Sequence, residues 1–118
     1  MKQYEVWWAE LPPPAGRRPI LLLSRDSAYD VLNKYIAAET TTTIRDIPIE
    51  VRLGRAEGMP KSCVANLDNL RTISRTYLQK RIGHLGSDRA RLRDYFYTEG
   101  RKEAMQNIIR LLCWSEQN

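Results

Sequence analysis

The chain has 118 residues, 42% hydrophobic and 28% charged, enough apolar side chains for one core and too many for an unfolded segment. Its net charge of +5 suits either a polyanionic partner or a plain basic surface. No apolar run approaches the ~20 residues of a membrane span, and no signal-peptide core follows Met1. The only histidine, His84, and two distant cysteines, Cys63 and Cys113, do not make a zinc site. A cytoplasmic protein with reduced cysteines, no cofactor and no metal is the expectation.

Tyr4 to Leu11 is aromatic and β-branched, a first strand. Pro12 to Gly16 stops it. A tight turn is expected to hold Arg17 and Arg18, followed by a short apolar strand from Ile20 to Ser24. Arg25 to Lys34 has Ala28, Val31 and Leu32 at helical spacing. Tyr35 to Thr42 reads as a strand, and Ile49 to Leu53 as a half-exposed one. Ser62 to Ala65 and Leu70 to Ser74 read as two more short strands, and Gln79 to Leu85 as the last. After Gly86 the period changes. Ser87 and Asp88 suit a helix start, and Leu92, Tyr95, Phe96, Met105, Ile108, Ile109 and Leu112 follow helical spacing. The pattern predicts one mainly β domain over 1–118, a small barrel over about 1–85 with short helices, and a helical segment over about 87–114.

Two features could carry chemistry. Pro19 restricts Arg18 to extended backbone angles, and an aimed guanidinium grips phosphate through paired hydrogen bonds. The alternative is an ordinary surface arginine, or one paired with Glu10 or Asp26. Thr40 to Thr43 could offer hydroxyls to a phosphate, or could be strand filler. Alternation would put Thr40 and Thr42 on one face and Thr41 and Thr43 on the other. Trp7 and Trp8 are adjacent, so one should point inward and one outward. The outward ring could stack on a base or make a core or dimer contact. Carboxylates are scattered, with no metal-binding spacing, and no nucleophile or P-loop motif occurs.

Four segments in order resemble the MazF/PemK family of toxins. They are Val6–Pro12 (VWWAELP), Gly16–Ser24 (GRRPILLLS), Thr40–Val51 (TTTTIRDIPIEV) and Val64–Ile73 (VANLDNLRTI). The resemblance implies an SH3-like β-barrel and a toxin of a type II toxin–antitoxin system. It implies a sequence-specific, metal-independent endoribonuclease acting on single-stranded RNA, using the RNA's own 2′-OH to leave 2′,3′-cyclic phosphate and 5′-OH ends. On this likeness Arg18 is the catalytic arginine and Thr40 the catalytic threonine. Arg17, Thr41, Thr42, Arg45, Asp68, Asn69 and Arg71 become RNA contacts, with Asn69 shorter than the family's usual glutamine. The Pro12–Gly16 loop lacks the glutamate that many members carry ahead of the arginine. A homodimer and a cognate antitoxin are the implied partners. Two other readings stay open: a non-catalytic toxin of the same fold that binds gyrase, and a basic RNA-binding domain.

Overall fold

The computed structural model describes residues 1–47 and 50–86. Short β-rich runs, parted by proline, glycine and Asx turns, form six strands there. These are β1 (Glu5–Leu11), β2 (Gly16–Leu22), β3 (Lys34–Thr41), β4 (Glu50–Leu53), β5 (Cys63–Ser74) and β6 (Leu78–His84). A one-turn helix, α1 (Ala28–Val31), links β2 to β3, and 3-10 turns η1 (Arg55–Glu57) and η2 (Arg75–Tyr77) precede β5 and β6. The strands make one antiparallel sheet in the order β4-β5-β3-β2-β1-β6. The chain is therefore mainly β, as expected. The expected helical segment over about 87–114 lies outside the described residues.

The central strands are apolar without alternation because both faces of the sheet are covered. Val6, Leu21, Ile36, Ala38 and Ala65 pack on one face, inside the curl of the sheet. Ala9, Ile20, Leu22, Tyr35 and Ile73 pack on the other, where α1 adds Ala28, Tyr29 and Leu32. Each fully buried Leu or Ile contributes roughly 1.5–3 kcal/mol. Tyr29 donates from its hydroxyl to Ser24 O at 2.9 Å, and burial pushes its phenol well above the ordinary range. Val31 departs from the expected apolar face: α1 is too short to bury it, and it stays 77% exposed.

The two ends of the sheet meet through η1. Glu57 closes this turn by accepting from Gly54 N at 2.8 Å, although its side chain is buried. Gly83 of β6 lies so close to the backbone of Glu57 that any Cβ there would collide with it. A glycine is thus required where β6 passes η1, and this approach curls the sheet into a partial barrel.

Two local expectations change. Arg17 and Arg18 do not lie in a turn but already belong to β2, opposite Glu10 and Ala9 of β1. The turn is Pro12–Ala15, closed by Ala15 N to Pro12 O at 3.2 Å, and Gly16 leaves it with φ +68, which suits glycine. The two strands expected at 62–65 and 70–74 are one, β5. Its β3 partners run Ala38↔Leu70 and then Thr40↔Ala65, so residues 66–69 bulge out of the ladder. Asp68 N donates to Asn66 Oδ1 at 2.9 Å, a local Asx turn whose residues read as a break. No helix among the described residues is long and apolar enough to cross a membrane.

Candidate functional site

Strand pairing brings the arginine pair and the threonine run together. A groove of about 320 Å³ opens between the start of β2, the end of β3 and the segment 59–63. Arg17, Arg18, Thr40, Thr41 and Thr42 all border it, together with Trp8 of β1 and Lys61. Thr40 is buried, at 7% exposure, and its Oγ1 donates to Pro19 O at 2.7 Å. This bond ties the end of β3 to the residue next to Arg18.

The bond lies where the ladder between β2 and β3 ends. The β2–β3 ladder stops at Ile20↔Glu39, and Pro19 has no N–H to extend it. A carbonyl oxygen has two lone pairs, and the threonine hydroxyl fills one of them on Pro19 O. Beyond Thr41 the chain bends, so the alternation expected for all four threonines ends there. Thr42 reaches the groove as part of the bend instead.

The arginines are held differently. Arg18 Nε donates to Ala15 O at 3.3 Å, and no partner is found for its terminal nitrogens among the described residues. Arg17 Nε donates to Gln79 Oε1 at 3.1 Å, and its guanidinium carbon lies 4.4 Å from the centre of the Trp8 ring. Strand alternation puts Arg17 and Pro19 on the face of Trp8, and Arg18 on that of Ala9. Arg17, Arg18 and Lys61 make the groove wall cationic, and no carboxylate lines it among the described residues.

The other expected RNA contacts do not line this groove. Arg71 pairs with Glu39 at 2.7 Å, and Asn69 Nδ2 donates to the other oxygen of the same carboxylate at 3.1 Å. Asp68 sits in the bulge of β5. Arg45 follows the bend, its backbone N–H held by Glu50 Oε1 at 2.9 Å. The backbone of Arg45 and Asp46 is folded back onto that buried carboxylate.

Lys61, Met59 and Cys63 on the wall went unforeseen. No local motif marks them: a Gly-Met-Pro-Lys turn becomes groove lining only because β5 pairs with β3. Burial, and then the nearby Glu57 charge, push the Cys63 thiol up, which disfavours a thiolate there. His84 Nδ1 lies 3.3 Å from Leu85 O and takes no part in the groove.

Residues 2–92 match the family described as PemK-like, MazF-like toxin of type II toxin-antitoxin system. The chain belongs to this family. The match spans every strand of the toxin and so its whole groove. Probable endoribonuclease MazF5 of Mycobacterium tuberculosis is 40% identical to the toxin over 88 residues, 74% of this chain and 80% of the relative. Among solved structures, Mycobacterium tuberculosis toxin MazF-mt6 superposes with a TM-score of 0.67 at 27% identity, covering 87% of the toxin and 93% of that chain. A chain of a MazE-MazF structure from Deinococcus radiodurans superposes with a TM-score of 0.65 at 25% identity, covering 79% and 88%.

Proposed function

We propose that this toxin is an endoribonuclease that cuts single-stranded RNA in the groove between β2 and β3, with Arg18 and Thr40 as its catalytic pair. The family match and the endoribonuclease relative support the reaction class. The observation that carries the site is the joint placement of Arg18 and Thr40 on one cationic wall, tied through Pro19.

The reaction is a transfer within the substrate. The 2′-oxygen forms a bond to the adjacent phosphorus while the bond from phosphorus to O5′ breaks. The 2′ proton passes to water and the departing O5′ takes one from water, which leaves a 2′,3′-cyclic phosphate and a 5′-hydroxyl. Only RNA has the 2′-OH, so DNA is not cut. Arg18 offers its terminal nitrogens to the non-bridging oxygens, where charge builds in the transition state. A guanidinium, with a pKa above ~12, holds that charge better than it takes a proton. Thr40 donates to the same phosphate by turning its hydroxyl away from Pro19 O, because a charged oxygen is the stronger acceptor. Arg17 holds a flanking phosphate. The stepped role of a metal is unnecessary here, and a wall of cations and hydroxyls suits phosphate better than it suits a divalent ion, which wants carboxylates.

The type II toxin–antitoxin description and the MazE-MazF relative support an antitoxin as protein partner. A cationic groove favours an acidic segment of that partner as competitor for RNA. We also propose a cytoplasmic homodimer, as the family resemblance implies; light scattering near twice 13.8 kDa checks the dimer.

Incubating the purified protein with a long single-stranded RNA in EDTA and mapping the product ends tests the reading. Discrete cuts with 5′-hydroxyl ends are expected. Intact RNA, whether the protein retains it or binds gyrase instead, would sink it.

A further inference from the structure

We propose that Trp8, backed by Arg17, is the stacking platform for one unpaired base beside the scissile phosphate. This rests on the nuclease reading above and adds a residue that sets how the RNA is held.

Trp8 and Pro19 are direct cross-strand partners in β1 and β2, so the indole stands next to the Arg18–Thr40 end of the groove. Directly opposed side chains sit about 5 Å apart at Cβ, less than one nucleotide step. Trp8 is only half-buried and borders the groove, while its neighbour Trp7 turns to the opposite face of β1. There Trp7 packs against the second core and donates from Nε1 to Glu5 Oε1 at 3.1 Å. The two adjacent tryptophans thus have separate jobs, and only Trp8 offers a ring to a ligand.

Arg17 makes the platform stiff. Its guanidinium carbon stands 4.4 Å from the Trp8 ring centre, and its Nε is fixed by Gln79 of β6. Three neighbouring strands therefore hold one aromatic plane in place. A guanidinium on one face of an indole adds to its attraction for a polarisable base, and its remaining N–H groups can meet the phosphate of that nucleotide. Stacking of this kind accepts every base, so Trp8 grips the strand and leaves the choice of sequence to other residues.

The test uses a single-stranded oligonucleotide that carries the mapped cleavage sequence, with 2′-deoxyribose at the cut position so that it binds without being cleaved. A series of these probes has one abasic site each, moved along the strand. Trp8→Leu should weaken binding about tenfold, and Trp8→Phe, which keeps an aromatic plane, should hold within about threefold. One abasic position next to the cut should cost the wild type about as much and cost Trp8→Leu nothing more. Both variants are first checked by circular dichroism, and Trp8→Phe guards against a Leu variant that fails to fold. Equal abasic penalties in wild type and Trp8→Leu at every position would overturn the platform while leaving the nuclease reading intact. A wild type that cuts no RNA at all fails the earlier reading instead, and that outcome comes from the cleavage assay alone.

Discussion

Arg18 and Arg71 have the same side chain on strands of the same sheet, yet their surroundings differ in one respect. Arg18 spends one nitrogen on the Ala15 carbonyl and borders a wall without carboxylates among the described residues. Arg71 is paired at 2.7 Å with Glu39, which also takes Asn69. Glu39 is one residue from Thr40 in β3, and alternation sends their side chains to opposite faces. Within this strand, Thr40 therefore borders the phosphate-receptive groove while its neighbour Glu39 is taken up by the ion-pair patch. A basic residue is a candidate ligand for RNA only where its charge is not already answered within the fold.

That contrast can be broken by substitution. Arg18→Ala should lower RNA cleavage by about a hundredfold or more with an unchanged circular dichroism spectrum, since it removes a transition-state donor. Near-normal cleavage by a folded Arg18→Ala protein would move the active site elsewhere. Thr40→Val comes next. It should cut the rate by an order of magnitude or more, because the hydroxyl is lost to the phosphate. It also removes the hydroxyl's hydrogen bond to the half-buried Pro19 carbonyl, costing about 1 kcal/mol and lowering Tm by about 4–8 °C. Thr40→Ser, which keeps the hydroxyl, should restore most of both, and a Ser variant as poor as Val would reject the hydrogen-bond account.

Arg17→Ala should have a smaller effect, best seen in salt titrations. Removing one phosphate contact lowers the slope of log affinity against log salt by about 0.7 for single strands. An unchanged slope would take Arg17 off the RNA. Arg71→Ala should change cleavage by no more than about twofold, because Glu39 already holds that charge. A loss as large as that of Arg17→Ala would mean that RNA pulls Arg71 from Glu39, and the contrast between the two patches would fail.

Glu5 repeats the Glu39 pattern and gives the smallest effect. Burial raises its carboxyl, but hydrogen bonds from Trp7, the Lys2 backbone and Arg81, with the Arg81 charge, outweigh it and hold it below the ordinary 4.5. A carboxyl lowered on folding stabilises the protein above its unfolded value and loses that contribution as pH falls through the folded one. The Tm gap between wild type and Glu5→Gln should therefore be open at neutral pH and close below about pH 4. A gap that stays constant through acid would show that the carboxylate charge plays no part.

Much of the architecture could be read along the chain. Apolar runs such as Ile20–Leu22 and Tyr35–Ala38 mark strands covered on both sides, and Pro12–Ala15 marks the first turn. The break suspected between 65 and 70 was a bulge, because an Asx turn looks alike whether it ends a strand or only interrupts it. For the groove, the arginine pair and the threonine run were visible as residue types, and their meeting followed from family likeness. Asp68, Asn69 and Arg71 looked equally suitable, since no local pattern tells which basic group a distant carboxylate will claim.

Sequence alone determined the strand content, the basic balance and the family, because these depend on residue type and order. Tertiary structure decided which groups are available. The pairing of β2 with β3 set Thr40 on the Pro19 carbonyl, the pairing of β3 with β5 put Glu39 on Arg71, and the pairing of β1 with β2 and β6 placed Arg17 between Trp8 and Gln79. Each of these contacts joins residues far apart along the chain. Whether a guanidinium is free to meet a phosphate depends on what stands within about 4 Å of it, and only the folded sheet sets that.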